Sequence, residues 1–318
     1  LNSFFASLWL LTFLSGFFTH IPNTIRLLGL AIPAMRRILQ LLLEEEQQSL
    51  CKEDGFPKLE NDFPASVIFE HVSFAYQPSG PFVIRDLSVT LNLSRKVALL
   101  GEITSGKTTF LKLLCGEFPP TQGRIRVRFD SGAERDLWST SAYQAFRGQL
   151  AWVPQEPFVS CDPFSANISL TTHPDESTVM QAAYWAELEA DLSRFPNGIH
   201  EEIGEGGINL SGGQKQRLNL ARAYFANRRY LVLDDPLSAL DSQTELMFMT
   251  RLENRSRGFI LVTHRVAEIA RVEEVLILKE GQLIEWGDPR SLGSDSQSEF
   301  SRICAAYSRA EVEGGSHA

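Results

Sequence analysis

Residues 101–109 read GEITSGKTT, and their types and spacing suit a phosphate cradle. Gly101 and Gly106 let the backbone curl with its N–H groups turned inward, and Thr104, Ser105 and Thr109 complete the loop. Lys107 carries a cation that can reach the β- and γ-phosphates, and the Thr108 hydroxyl suits Mg²⁺. The loop follows the apolar run KVALL and opens the helical run KTTFLKLLC, so a helix N-terminus adds its favourable dipole. A second stretch, YLVLDDPLSALD at 230–241, ends an apolar strand in two acids. Asp234 can hold Mg²⁺ through water. Asp235 follows it, where a group that activates water would stand. Together the two stretches predict a site for a nucleotide and Mg²⁺.

Such groups need rigid elements behind them. KVALLG, LAWVPQ, YLVLDD and GFILVTH are short apolar runs ending in polar residues. That is the pattern of strands buried on both faces, with sites at their carboxyl ends. SVIFEHVSFAY reads as a strand by alternation and β-branching, and helices are expected over Lys107–Cys115 and Gly213–Phe225. Upstream, LNSFFASLWLLTFLSGFFTHIPNTI runs from Leu1 to Ile25 without an acid, a lysine or an arginine. Its apolar part is about long enough to cross much of a bilayer, and it lacks the basic start of a signal peptide. Arg26, Arg36 and Arg37 follow closely, which favours a cytoplasmic position for this end. Ile32, Met35, Leu39, Leu42 and Leu43 then form a helical stripe. The expectation is a membrane helix with an amphipathic extension over 1–45, a polar linker over 46–65, an α/β domain over 66–290, and a C-terminal helix with a disordered tail over 291–318.

Composition narrows the class. The chain has 318 residues, 43% hydrophobic and 22% charged, with a formal net charge of −9. An acidic balance is a poor footprint for nucleic acid, which calls for a basic face. Cys51, Cys115, Cys161 and Cys304 form no CxxC pair and read as reduced thiols.

The stretch INLSGGQKQRLNLARA, residues 208–223, is more specific than the phosphate loop. Ser211, Gly212 and Gly213 before a helix offer a hydroxyl and bare N–H groups to a phosphate. With Leu210 and Gln214 they resemble the signature motif of ATP-binding-cassette (ABC) proteins. Other positions match that family in order over about residues 66–290. Tyr76 resembles the aromatic that stacks on adenine. Gln155 is similar to the glutamine that touches Mg²⁺ and senses the membrane domain. Asp241 resembles the acid that crosses the dimer interface, and His264 the switch histidine near the γ-phosphate. The resemblance implies a P-loop NTPase α/β fold with a RecA-like core, an antiparallel β subdomain and a helical signature subdomain. It also implies ATP and Mg²⁺, and head-to-tail pairing with a second nucleotide-binding domain, the signature of one closing on the phosphate loop of the other. The residues before 66 resemble the last membrane helix of an exporter. A multi-pass membrane protein is then expected, in contact with lipid and its own transmembrane domain, with the nucleotide domain on the cytoplasmic face.

Two positions depart from the family. Exporter domains that hydrolyse well have Glu where Asp235 stands, which sets the carboxylate back by about 1.5 Å. Misplacement by about 1 Å can cost on the order of 100-fold in rate. Thr104 stands where many members have Gly. Similar DDPLSALD strings occur in the first nucleotide domain of multidrug-resistance-associated transporters and in one half of heterodimeric bacterial exporters. The long segment before Gln155 favours the second. The expectation is a slow site in this chain, with the signature serving a competent site in a partner half. Alternatives are a soluble ABC ATPase without transport and a regulatory domain that binds ATP without turnover.

Overall fold

The computed structural model describes residues 2–43, 62–171, 173–255 and 258–314. The chain divides into two compact units between residues 50 and 51.

The first unit holds one helix, Asn2–Leu43, with Pro22 and Pro33 inside it. At 1.5 Å per residue it is about 60 Å long. Its described apolar side chains stand open; Phe4, Trp9 and Ile25 are each 65% exposed or more. A helix apolar on most sides has to be covered by something. No helix among the described residues is long and apolar enough to cross a membrane. The side chains of 17–21 lie outside that description.

The second unit contains ten described strands. They are β1 (Pro64–Phe74), β2 (Ile84–Asn92), β3 (Lys96–Leu100), β4 (Gln122–Phe129), β5 (Glu134–Asp136), β6 (Leu150–Val153), β7 (Tyr230–Asp234), β8 (Gly258–Val262), β9 (Glu274–Lys279) and β10 (Gln282–Gly287). One sheet has the order β2-β1-β4-β5 and is antiparallel throughout. The other has the order β10-β9-β3-β8-β7-β6, parallel from β9 to β6, with β10 antiparallel at its edge.

Burial follows from this architecture. β7 and β8 are buried at every position, as parallel strands covered on both faces must be. β2 alternates more openly, since only one of its faces packs inward. Along β3, Val97 and Leu99 enter one core and Ala98 and Leu100 the other. The helix Lys107–Leu114 lies in the core shared with the antiparallel sheet, where the Phe69 and Phe110 rings sit 5.1 Å apart. A helical region packs Val179, Ala182 and Ala183 of Glu176–Trp185 into one core with Leu218 and Ala221 of Gly212–Phe225.

The expected α/β core, the antiparallel subdomain and the helical region are present. Five boundaries differ, among them the end of β1, at Phe74 rather than Tyr76. β1 begins at Pro64 rather than 66, and the helix expected from Gly213 begins at Gly212. The helix expected to end at Cys115 ends at Leu114. The expected disordered tail is helical as far as Gly314, because Glu299–Gly314 is one continuous helix rich in good helix formers. The expected linker falls mostly outside the described residues. Cys115, Cys161 and Cys304 are free thiols, and Cys51 lies outside the described residues.

Candidate nucleotide-binding site

Four parallel strands deliver the site from one edge. β3 runs into Gly101, β6 toward Gln155, β7 ends at Asp234 with Asp235 next, and β8 runs toward His264. Register keeps them level, since Leu99 and Asp234 both pair with Val262. They open on a cleft of about 430 Å³ lined by residues 103–109, Gln155, Asp234, Asp235 and His264, together with Val83 and Val262.

The phosphate loop is shaped by close approach. A Cβ at Gly101 would stand 2.2 Å from the Leu278 carbonyl oxygen, and its φ of +146° is hard for other residues. Thr104 adopts φ +68°, a region that a β-branched side chain resists. The strain explains why glycine suits this position better. Lys107 is buried, and its Nζ donates to the Gly101 and Glu102 carbonyls at 2.8 Å each. Burial pulls its pKa down, and the charges of Asp234 and Asp235 oppose that pull.

Asp234 is 2% exposed. Burial raises its carboxyl above the ordinary value, while a hydrogen bond from Thr108 lowers it. Its Oδ2 is buried without a hydrogen-bond partner. A buried oxygen of this kind calls for an explanation. A cation beside it, shared with the Thr108 hydroxyl and Gln155, fits that requirement. Mg²⁺ takes one or two protein oxygens and completes its shell with phosphates and waters. Among the described residues no group of three His, Cys, Asp or Glu side chains could hold a metal ion.

Asp235 lies next to Asp234 at φ +48°, a left-handed conformation that Asp tolerates better than most residues. His264 is half-buried, and burial lowers its pKa; Lys107 adds to the effect and Asp235 opposes it. Tyr76 stands at the loop's flank, 52% exposed, its hydroxyl 3.0 Å from Thr109 Oγ1. The Phe74 and Phe118 rings meet the Tyr76 ring nearly at right angles, with centroids 5.0 and 5.7 Å away.

The signature residues are not among those lining this cleft. Ser211 caps the helix Gly212–Phe225: its Oγ accepts from the Gln214 N–H at 3.2 Å, and Gln214 Oε1 accepts from the Ser211 N–H at 2.8 Å. That reciprocal cap uses the hydroxyl as an acceptor and leaves its own proton to donate. A Cβ at Gly213 would meet the Ala239 carbonyl oxygen at 2.9 Å, so a bare glycine lets the signature approach the residues before Asp241. Asp241 accepts from the N–H groups of Gln243 and Thr244 and from the Thr244 hydroxyl, which holds its carboxyl below the usual range.

Sequence reasoning missed three supporting residues. Asp191 is buried and accepts from Gln214 Nε2 at 3.0 Å and Arg217 Nε at 2.9 Å, so Gln214 is occupied at both ends. Asn167, fully buried, accepts from Arg222 and ties the signature helix to the segment after Gln155. Tyr307 reaches His264 from the C-terminal helix. The stripe Phe300, Ile303, Cys304, Tyr307 has helical spacing and was readable as a buried face, but not what that face meets.

Fold and cleft define a P-loop NTPase domain of α/β type. The family profile for the ABC transporter domain matches residues 84–238. Residues 84–238 belong to the ABC transporter family, and the α/β fold built around them is that of an ABC nucleotide-binding domain. The chain is 34% identical over 233 residues to a probable multidrug resistance ABC transporter ATP-binding/permease protein, YheI, of Bacillus subtilis, covering 72% of this chain and 39% of that protein. It is 35% identical over 230 residues to the ATP-dependent lipid A-core flippase of Ralstonia nicotianae, covering 70% and 38%. It is 32% identical over 286 residues to the pediocin PA-1 transport/processing ATP-binding protein PedD of Pediococcus acidilactici, covering 88% and 38%. A bacterial Atm1-family ABC exporter solved with ATP bound superposes with a TM-score of 0.75 at 28% identity, over 87% of this chain and 47% of that one. The chain thus spans less than two fifths of the length of these three sequence relatives.

Asp234 gives a pH test. Its raised pKa means that its stabilising contribution is present below the ordinary value of 3.8 and is lost as pH rises through the raised value. Asp234→Asn has no such loss. Without nucleotide or Mg²⁺, the variant's thermal midpoint relative to wild type should rise as the pH is increased above about 4. A difference that does not vary with pH contradicts the buried-charge account.

Proposed function

We propose that the chain is part of an ABC exporter that binds and hydrolyses ATP and couples the ATP-driven dimerisation of two nucleotide domains to export of a substrate across the membrane. The observation that carries this reading is the shared cleft. Lys107, Thr108, Gln155, Asp234, Asp235 and His264 come from separate strand ends and line one space. Lys107 neutralises the β- and γ-phosphates, the loop N–H groups orient them, and Tyr76 stacks on the base. Thr108, Gln155 and Asp234 would hold Mg²⁺, which supplies charge neutralisation at the phosphates. Asp235 orients the attacking water and accepts its proton, and His264 donates to the γ-phosphate. Catalysis of this kind is mostly positioning and electrostatics.

Asp235 makes this site slow. Its carboxylate is one methylene short of the position a Glu would reach, while the binding groups are unchanged. The chain then completes a faster site in a partner half. Ser211 and the N–H groups of Gly212 and Gly213 lie outside the chain's own cleft, which supports their acting on a partner's nucleotide. The helix Asn2–Leu43, with its open apolar side chains, supports burial in a membrane, and Arg26, Arg36 and Arg37 favour the cytoplasmic side for the nucleotide domain.

Single-turnover hydrolysis in the assembled transporter, with the partner's site disabled, tests the slow-site reading. Asp235→Glu should raise the rate about ten-fold, equivalent to about 1.4 kcal/mol of barrier, with ATP affinity little changed. Wild type as fast as the Glu variant, with only Asp235→Asn inactive, means that Asp235 is already an effective base.

Ser211→Arg should leave ATP binding to the chain alone nearly intact and stop turnover in the assembled pair. An equal loss of binding by the isolated chain contradicts action in trans.

Alkaline extraction of membranes should leave the whole chain in the pellet and release a chain lacking residues 1–45. Release of both rules out the membrane reading.

A further inference from the structure

The C-terminal helix Glu299–Gly314 lies outside the family match, yet it reaches the nucleotide cleft. Its first turn is tied to β10 and β9. The Glu285 carboxylate accepts from the Glu299 N–H at 2.7 Å and the Phe300 N–H at 2.9 Å, and Lys279 Nζ pairs with Glu299 at 2.6 Å. Phe300, Ile303, Cys304 and Tyr307 then pack along the core. The helix is held at its start and along one face, so the place of Tyr307 is set by packing.

Tyr307 meets two parts of the site at once. Its hydroxyl is 3.0 Å from His264 Nδ1 and 3.4 Å from the Gly101 carbonyl oxygen. The two rings meet edge to face, 5.2 Å between centroids and 73° between planes. The same Gly101 carbonyl accepts from Lys107 Nζ at 2.8 Å. One phenol therefore lies against both the histidine after β8 and the first residue of the phosphate loop, and Nδ1 and the Gly101 carbonyl oxygen compete for its single proton.

The chemical consequence lies in the imidazole tautomer. A neutral imidazole carries one proton, and the partner of one ring nitrogen decides which nitrogen holds it. The phenol also has one proton. The shorter contact, to Nδ1, is the better hydrogen bond. If the phenol donates there, Nδ1 must be the bare nitrogen and Nε2 carries the hydrogen. An Nε2–H can donate to a phosphate oxygen in the cleft that His264 lines; a bare Nε2 lone pair would repel it. Burial raises the Tyr307 phenol pKa, so the group stays protonated and able to donate.

We propose that Tyr307 is a positioning residue for His264, its hydroxyl fixing the Nε2–H tautomer and the ring orientation that phosphoryl transfer needs. The C-terminal helix is in this way a structural part of the nucleotide site. The proposal rests on the reading of His264 as a donor to the γ-phosphate.

The test has two readouts on the whole chain, assembled with its partner half for the kinetics. Selective ¹⁵N-histidine labelling reports the tautomer, with the His264 signals identified by their loss in His264→Gln. Wild type should show Nε2–H, and Tyr307→Phe should show a mixture with Nδ1–H. A wild-type Nδ1–H tautomer, or signals unchanged in Tyr307→Phe, overturns the proposal. Single-turnover hydrolysis should fall about ten-fold in Tyr307→Phe, the lower end of what the outer partner of a functional histidine is worth. Affinity for Mg·ATP should stay within about two-fold, since the groups that bind the phosphates are untouched. In a His264→Ala background, Tyr307→Phe should have no further effect. The same fold-loss with and without His264 would show that Tyr307 acts only on general structure. If no variant and no wild type hydrolyses ATP, the catalytic reading of the cleft fails, and the tautomer readout still judges the role of Tyr307.

Discussion

Two opposite charges sit in the interior beneath one loop. Lys107 is held by two carbonyls of its own loop, and Asp234 keeps an oxygen without a partner. Burial pushes both toward their neutral forms. A protein does not keep such groups for stability, because desolvating a charge costs more than an imperfect pair returns. They are kept where a ligand brings the missing charges, here the negative phosphates of ATP. The rest of the domain is arranged to hold that arrangement rigid. β3 and β7 are buried strands that cannot shift without opening a core, and the helix after the loop is clamped between two sheets.

The signature end of the domain follows a different rule. Ser211 and Gln214 close a reciprocal cap, and Asp191 holds the outer end of Gln214. This explains why a glutamine, and not only a serine and two glycines, stands in that run. The residues meet no phosphate in their own cleft, so the cap stiffens a surface that presents a hydroxyl and bare N–H groups outward. Asn167 and Arg222 tie the same helix to the segment after Gln155.

The long N-terminal helix stands apart in chemistry. Its exposed aromatic and aliphatic side chains follow one another along the helix, whereas the nucleotide domain buries most such groups in two cores and leaves scattered ones such as Ile103, Phe158 and Ile208 open. Water drives the second unit to fold around its own apolar residues. The described large apolar side chains of the first unit stay open instead.

Much of this was legible in the residues. The phosphate loop, the acids at 234 and 235, the signature and the four strand ends follow from local patterns, because a loop that wraps a phosphate and a strand buried on both faces each leave a short contiguous mark. Thr104 and Asp235 were also visible as departures, although their positive φ angles were not. The sequence left undecided what distant segments do to one another. Nothing local in the C-terminal stripe says that Tyr307 meets His264, 43 positions away, or that Asp191 secures Gln214, 23 positions away. Those contacts depend on which helix face meets which strand end, and that is settled only when both cores are packed. Local spacing determined which groups can do chemistry; tertiary packing decided which of them are held in place to do it.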